Sequence, residues 1–537
     1  MNFIKNNLEK SLITFIFIIY AIWSACFIYE TSFVAVDGKR YFSLFDDAMI
    51  SMRYAWNFSH GNGLVWNTGE YVQGYTNLLM TLVMSVVTFF LNKPDSVLTI
   101  QILGLLFMLA IALLSIKISD HVFKKDTFYT LRYKHPIRLL VCISVLLYYP
   151  LSYWSLMGME TGLLTLLLLA GLNSALIYVE NNNVRHLYMS AVLLCLAYLT
   201  RPDSLIFSFL IWTFVLIYIY KSTPEKTSFN NFKQFLYASG FFFIVIFGQG
   251  LFQYIYYGEY VANTYTLKLV GMSLSERLEN GTGFILPFLQ SVTLLLALSI
   301  TFVIYKTNSK KLLLLSIVLA AISYQIYVGG DPWVYWRIMS PTMPLAIILA
   351  IGATLNIASS ARMSEILGKK KRAVALAMLV LSSSLFLANQ TFLHEMVFLI
   401  RPHKAINNEQ NVRLALTLNK STTQDASIGV FWAGAIPFYT GLRAIDFLGK
   451  SDKYISNLPP DLSGDTGWNG MNSVPGHNKY DLTYSIIKLR PTFIQDNKWG
   501  TQDLSDWTKN HYKHVSSGKV KLLLLKNSPH VHWHKLN

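Results

Sequence analysis

Cysteine, charge and above all acidic charge are scarce in this chain of 537 residues. Cysteine occurs three times, at Cys26, Cys142 and Cys195, each inside an apolar run. An odd count with no paired spacing excludes a disulfide framework, and in such surroundings each reads as a small buried hydrophobe. Charged residues make up 14% of the chain, against roughly 25% in an ordinary soluble domain. With 53% hydrophobic residues, that scarcity excludes a disordered chain and a plain soluble enzyme. Acids are the scarcer sign: 29 Asp and Glu stand against 45 Lys and Arg, a net charge of +16. Such an excess raises nucleic acid or an anionic surface as partners, so the placement of the charges must decide.

Long apolar runs are present in number. They lie at about 11–29, 78–91, 96–116, 139–157, 161–179, 187–199, 204–220, 235–253, 284–305, 312–328, 338–358 and 373–391. A membrane span needs about 20 such residues. The first run exceeds a signal-peptide core and lacks a small-x-small cleavage site, so it reads as an uncleaved span. After about His394 the runs stop, and turn clusters such as Asn457-Leu-Pro-Pro-Asp461 and Asp465-Thr-Gly-Trp-Asn-Gly470 appear. This divides the chain into a membrane module, 1–393, with a first outer loop at 30–95, and an extracytoplasmic domain, 394–537.

Cytoplasmic loops collect Lys and Arg. If the N-terminus is inside and 78–91 lies at the outer interface without crossing, the loops sort into two classes. One holds twenty basic residues, from Lys5 and Lys10 through the clusters at 117–138 and 221–233 to Arg362 and Lys369 to Arg372. The other holds eight: Lys39, Arg40, Arg53, Lys93, Arg201, Lys268, Arg277 and Arg337. The spacing predicts eleven crossings, a cytoplasmic N-terminus and a C-terminal domain outside. The basic excess is then a topology signal, and nucleic acid is not an expected partner.

The outer loops carry the chemistry. Asp46 and Asp47 open a predicted helix, where a carboxylate can serve as general base for an attacking hydroxyl. Two adjacent carboxylates can also hold a divalent cation, although an acidic pair at a helix start more commonly caps it and meets its dipole. Arg53, Arg201, Lys268 and Arg337 are suited to a phosphate, Arg bidentately and Lys as a point charge. Glu160, Asp203, Asn263, Asp331 and His477 complete the candidates. Polar residues from several span ends, converging on one face, fit a site between helices. An acidic base facing a cationic cradle at membrane depth fits transfer from a lipid-linked phosphosugar, with the cations stabilising the leaving phosphate.

From Phe45 to Asn77 the first outer loop reads Asp46-Asp47-Ala48-Met49-Ile50-Ser51, Arg53-Tyr54-Ala55, Gly61-Asn62-Gly63-Leu64, Gly69-Glu70 and Gln73-Gly74-Tyr75-Thr76-Asn77. Further on stand Met159-Glu160-Thr161, Thr200-Arg201-Pro202-Asp203, Ala262-Asn263-Thr264-Tyr265 with Lys268, and Gly329-Gly330-Asp331 with Arg337, Pro341 and Pro344. The tail adds Gly434, Pro437-Phe438-Tyr439, Asp446-Phe447-Leu448-Gly449 and Pro475-Gly476-His477. This ordered set resembles a family of polytopic GT-C-type glycosyltransferases. That family includes the actinobacterial terminal beta-(1,2)-arabinofuranosyltransferase and relatives named for lipopolysaccharide biosynthesis or flagellar motor control. Met49, Gln73, Asp203 and Ala262 depart from its pattern, which has Tyr, Glu, Glu and Pro there. The resemblance implies a polyprenyl-phosphate-linked hexosyl or pentosyl donor, a cell-envelope glycan or glycolipid acceptor, Asp46 or Asp47 as base, inversion at the anomeric carbon, and a place in the bacterial inner membrane with the C-terminal domain periplasmic. The motor-control name keeps a second reading open, a non-enzymatic assembly or motor-control factor, which would survive loss of the Asp pair.

The tail reads as a small α/β domain. Strands are expected at Ser427 to Gly434, Arg443 to Leu448, Pro491 to Gln495 and Lys519 to Leu525, with a short helix from Ile436 to Thr440. His530, His532 and His534 have strand-like spacing that places all three on one face. They can bind a metal there or form a solvated terminus.

Overall fold

The computed structural model describes residues 2–35, 37–129, 133–221, 225–333, 335–359, 372, 375–376, 389–462, 473–517 and 520–536. Among them, eight helices are long and apolar enough to cross a membrane: Asn7–Thr31, Lys93–Phe123, Thr161–Asn181, Pro202–Lys221, Phe229–Tyr257, Leu274–Tyr305, Ser309–Val328 and Ser340–Ala358. The helices used below are α1 (Asn2–Thr31), α2 (Asp46–Ser59), α3 (Leu78–Phe90), α4 (Lys93–Phe123), α5 (Lys134–Leu146), α6 (Tyr149–Leu156), α7 (Thr161–Asn181) and α8 (Val184–Thr200). They continue as α9 (Leu205–Lys221), α10 (Glu225–Tyr257), α11 (Asn263–Leu269), α12 (Leu274–Tyr305), α13 (Ser309–Val328) and α14 (Met343–Ala358).

Two expected spans behave differently, while the segment 78–91, expected not to cross, keeps that place. The run at 139–157 is not one straight span: α5 and α6 meet at a 54° bend. Pro150 sits in the first turn of α6, where a missing N–H is tolerated but continuation of α5 is not. All eight residues of α6 are buried, so it faces protein rather than lipid. The run at 187–199 becomes α8, only 17 residues. The run at 78–91 becomes α3, whose 13 residues span roughly 20 Å and are too short to cross. The last expected span, 373–391, the basic cluster at 369–372 and the turn at 465–470 lie almost wholly outside the described residues.

Among the described residues, the ion pairs of the two loop classes mark opposite ends of the bundle. At one end Glu180 pairs with Lys124 and Lys310, Glu9 with Arg138, and Asp126 with Lys311. At the other end Arg201 meets Glu160, Arg337 meets Asp47, and the C-terminal domain packs on top. We call this end the domain face.

The first loop holds a two-stranded antiparallel pair, β1 (Phe33–Val34) and β2 (Arg40–Tyr41). The C-terminal domain is a mixed five-stranded sheet of β3 (Ser427–Val430), β4 (Arg443–Asp446), β5 (Phe493–Ile494), β6 (Tyr512–Ser517) and β7 (Val520–Leu525), in the order β4-β3-β5-β7-β6. β3 lies parallel to β4 and β5, and β7 antiparallel to β5 and β6. A short helix, Ala435–Thr440, links β3 to β4 and is wholly buried. The histidine segment is not a strand. Val531 bridges Thr422, then Trp533–Lys535 turns as a 3-10 helix, so the three imidazoles do not share a strand face.

The domain is clamped to the first loop. Arg53, 5% exposed, donates to the carbonyls of Trp66, Pro437 and Leu442 and to Asn67 Oδ1. Gly434 lies so close to α2 that a Cβ there would meet Asp46 O at 2.0 Å. At Gly74 a Cβ would meet Ser451 Oγ at 2.5 Å. These glycines permit backbone approaches that no side chain allows.

Candidate active site

Between the spans and the domain lies a cleft of about 430 Å³, lined by α2, the loop at 73–77, the turn at 159–160 before α7, α8, α10, α11, α13, the 330–338 segment and two turns of the domain. Four carboxylates and four cations face it: Asp47, Glu160, Asp203 and Asp331 with Arg201, Lys268, Arg337 and Lys450. Each is set by its element. Asp47 stands in the first turn of α2, where the helix dipole favours an anion. Glu160 stands just before the first residue of α7, after Gly158, whose φ of 75° makes the turn from α6. Arg201 follows the last residue of α8, and Lys268 lies in the last turn of α11. Two consecutive left-handed residues, Tyr335 and Trp336, aim Arg337 inward. Such backbone is costly and persists only where its surroundings hold it. Here Tyr335 donates to the buried Glu395, which Tyr149 and the His403 N–H also reach.

Asp47 is the hub. Lys450 Nζ donates to its Oδ1 at 2.7 Å, and Trp333 Nε1 and Arg337 donate to its Oδ2 at 2.8 and 3.1 Å. Burial acts to raise this carboxyl, but Lys450 and Arg337 outweigh it and hold Asp47 far below the usual range. Arg337 also reaches Asp331 at 3.0 Å, and Lys268 reaches Asp331 at 3.2 Å. Arg201 spends its guanidinium on Asp203 and Glu160. Lys268, 29% exposed, is the most open of the four cations. Its ammonium carries three donors and uses one of them here.

Several expectations need correction. The cationic cradle is a charge-balanced network, since every Arg and Lys in the cleft already meets a carboxylate. Arg53 does not line the cleft; its donors go to carbonyls of the loop and the domain, so it is a clamp. Asn263 is another clamp: its Nδ2 meets the carbonyls of Gly449, Lys450 and Asp452, and its Oδ1 accepts from Ser456. Asp46 turns away from Asp47. It accepts from the N–H groups of Gly434 and Ala435 at 3.1 and 3.0 Å, the start of the short domain helix. Burial pushes Asp46 up to about 6, against the Ala435 hydrogen bond and the field of Lys450. The Asp pair therefore does not fit a divalent cation: the two carboxylates take different partners, and both Asp47 oxygens are held by donors. No cluster of three or more His, Cys, Asp or Glu able to hold a metal occurs among the described residues.

The sequence reading missed Lys450. It follows the Asp446 to Gly449 match directly, but nothing local says that it returns to Asp47 across 403 residues. Its ion pair makes the domain part of the site. A second cavity, about 550 Å³, opens on the domain side and is walled by Trp333, Trp432, Phe431, Tyr480, Trp499 and Lys404. Lys404 lies over the Trp432 ring at 4.9 Å. Asp46 lines this second cavity and Asp47 the first, while Pro332, Trp333, Lys450 and His477 line both. His477 stands edge-on to Trp333 with ring centroids 5.3 Å apart. Burial and Lys450 push it down to about 3, so it is neutral near pH 7.

This arrangement of spans, first-loop helix and capping domain is similar to known structures. ArnT from Cupriavidus metallidurans bound to undecaprenyl phosphate matches with a TM-score of 0.55 over 96% of this chain and 98% of that one, at 11% identity. Its apo state matches with a TM-score of 0.55 over 95% and 97%, also at 11% identity. The oligosaccharyltransferase of Archaeoglobus fulgidus, tethered with an acceptor peptide containing the NVT sequon, gives 0.53 over 99% of this chain and 76% of that one, at 10% identity. At such identities the likeness is one of fold, and the chain is a polytopic membrane protein of the GT-C fold with a small C-terminal sheet domain. A family model described as a domain of unknown function (DUF8728) matches residues 402–529. No curated protein matches the sequence.

Proposed function

We propose that the protein is a membrane glycosyltransferase. It moves a hexosyl or pentosyl group from a polyprenyl-phosphate donor to a cell-envelope glycan or glycolipid, at the domain face, which we read as periplasmic. The observation that carries this is Asp47: one carboxylate beside the wall between two cavities, with the most open cation, Lys268, on the cleft side. The shared fold supports it, since ArnT binds undecaprenyl phosphate and the oligosaccharyltransferase holds an acceptor peptide.

In this reading the donor enters the cleft from the bilayer and its phosphate meets Lys268, Lys450 and Arg337. The acceptor hydroxyl arrives through the aromatic-walled cavity. Its oxygen forms the new bond to the anomeric carbon as the bond from that carbon to the phosphate oxygen breaks. The electron pair leaves on the polyprenyl phosphate, and the hydroxyl proton passes to Asp47. The bond-breaking transition state carries oxocarbenium-like charge, so the proton moves late and a weakly basic carboxylate suffices. Competition by the phosphate for Lys450 and Arg337 also loosens their hold on Asp47 and raises its basicity when donor is bound. A single displacement inverts the anomeric centre.

Purified protein in nanodiscs, given labelled lipid-linked sugars extracted from the native membrane, tests the assignment. Asp47→Ala is expected to lose about a thousandfold in transfer, while Asp46→Ala keeps most of it unless the domain undocks. Full transfer by Asp47→Ala would remove the role given to it, and no transfer by the wild type would favour the non-enzymatic factor.

A further inference from the structure

The proposed donor cleft has a second wall that the ion network does not use. Gln73, Gln249, Gln253 and Gln325 all line it and are 4%, 6%, 7% and 1% exposed. Gln253 Nε2 donates to Gln73 Oε1 at 2.9 Å. Gln249 Oε1, Gln325 Oε1 and Thr264 Oγ1 are buried with no hydrogen-bond partner. Gln249 lies eight residues before the end of α10 at Tyr257, a depth of roughly 12 Å along the helix. At that depth an amide carbonyl without a partner is a standing cost, so an unpaired row of them calls for a ligand that supplies donors. Asp331 Oδ2 and Arg337 Nε also lack hydrogen bonds, but both remain within their own ion pair.

We infer that Gln249 and Gln325, flanked by the Gln73–Gln253 pair and Thr264, read the hydroxyl groups of the transferred sugar, and that this sugar is uncharged. The inference rests on the donor reading above. Amide carbonyls accept from sugar hydroxyls and amide N–H groups donate to sugar oxygens. An ammonium or carboxylate on the sugar would lie against neutral amides, while the charged groups of the cleft are already paired with one another. The phosphate and the sugar are then recognised by different walls, cations for one and amides for the other.

The test measures binding of seven lipids, in four classes, to the full-length protein in nanodiscs. They are bare undecaprenyl phosphate, a set of its neutral glycosyl derivatives (glucosyl, galactosyl, mannosyl and rhamnosyl), an aminoarabinosyl derivative and a galacturonosyl derivative. At least one neutral glycosyl lipid should bind about tenfold tighter than the bare lipid, with the two charged ones no tighter than bare. Gln249→Leu and Gln325→Leu should each cut that preference to about threefold or less. Lys268→Ala should weaken bare and glycosyl lipids alike. Gln325→Glu, which keeps size and adds a charge, should shift preference toward the aminoarabinosyl lipid, a gain that a misfolded variant would not give. A preference that survives both Leu substitutions, or tightest binding of a charged sugar by the wild type, would overturn the inference alone. Bare undecaprenyl phosphate that binds without help from Lys268 would overturn the donor reading and this inference with it.

Discussion

At the residue scale, adjacent carboxylates have been driven apart by their surroundings. Asp47 faces Lys450 and Arg337 and stays ionised across the working range, whereas burial lifts Asp46 to about 6. A raised carboxyl takes up its proton as pH falls through its folded value, but transfer rests on Asp47 and survives a neutral residue at 46. Transfer by the wild type and by Asp46→Asn should therefore both stay flat from about pH 8 to about pH 5; a wild-type limb near pH 6 would mean that the ionised Asp46 takes part in transfer. Lys450→Met removes one of the charges that depress Asp47, so its carboxyl should climb toward ordinary carboxylate values. The pH–rate profile should then gain an acidic limb that the Asp46→Asn background lacks. Of the residues that the structure gathers round the cleft, Glu160, Arg201, Asp203, Asp331 and Arg337 were legible because each adjoins an apolar run, while Asp47, Lys268 and His477 stood out only through the ordered motifs. Lys450 was not, because its contact is long-range. Arg53 and Asn263 read as site residues because a clamp and a ligand use the same side chains.

At the scale of elements, the first loop and the domain behave as one unit. Arg53 satisfies three carbonyls and one amide oxygen at their junction. Arg53→Met should lower stability by about 2–4 kcal/mol, because those acceptors stay buried without donors. Donor-lipid affinity, measured on folded protein, should barely change; a selective loss of lipid binding would restore the phosphate role expected from sequence. Gly434→Ala forces a Cβ into the α2 backbone and should cost about 1–3 kcal/mol as strain, read as a lower Tm in detergent. An unchanged Tm would mean that the helix Ala435–Thr440 moves aside freely. Four of the five domain strands follow their apolar, β-branched runs. β6, Tyr-Lys-His-Val-Ser-Ser, was missed because an edge strand with a half-exposed, polar face carries little of that pattern. The α5–α6 bend was missed because hydropathy counts residues and does not register Pro150 as a break.

At the scale of the whole molecule, charge sorting and ion pairing agree on two ends of the bundle, and the account makes the domain face periplasmic. Reporters fused after Arg132 and after Lys371 should both report cytoplasm; either one outside would invert the scheme. The fold was legible because length and spacing of apolar runs are one-dimensional properties. The site was legible only in part, because Asp47 is completed by residues from the 330–338 segment and the far domain. The most direct measurement of the central claim is the envelope-glycan mass profile of cells lacking the protein, complemented with wild type, Asp46→Asn or Asp47→Asn at matched membrane levels. The account predicts that wild type and Asp46→Asn restore the missing sugar while Asp47→Asn leaves the deletion profile unchanged. Restoration by Asp47→Asn would contradict it.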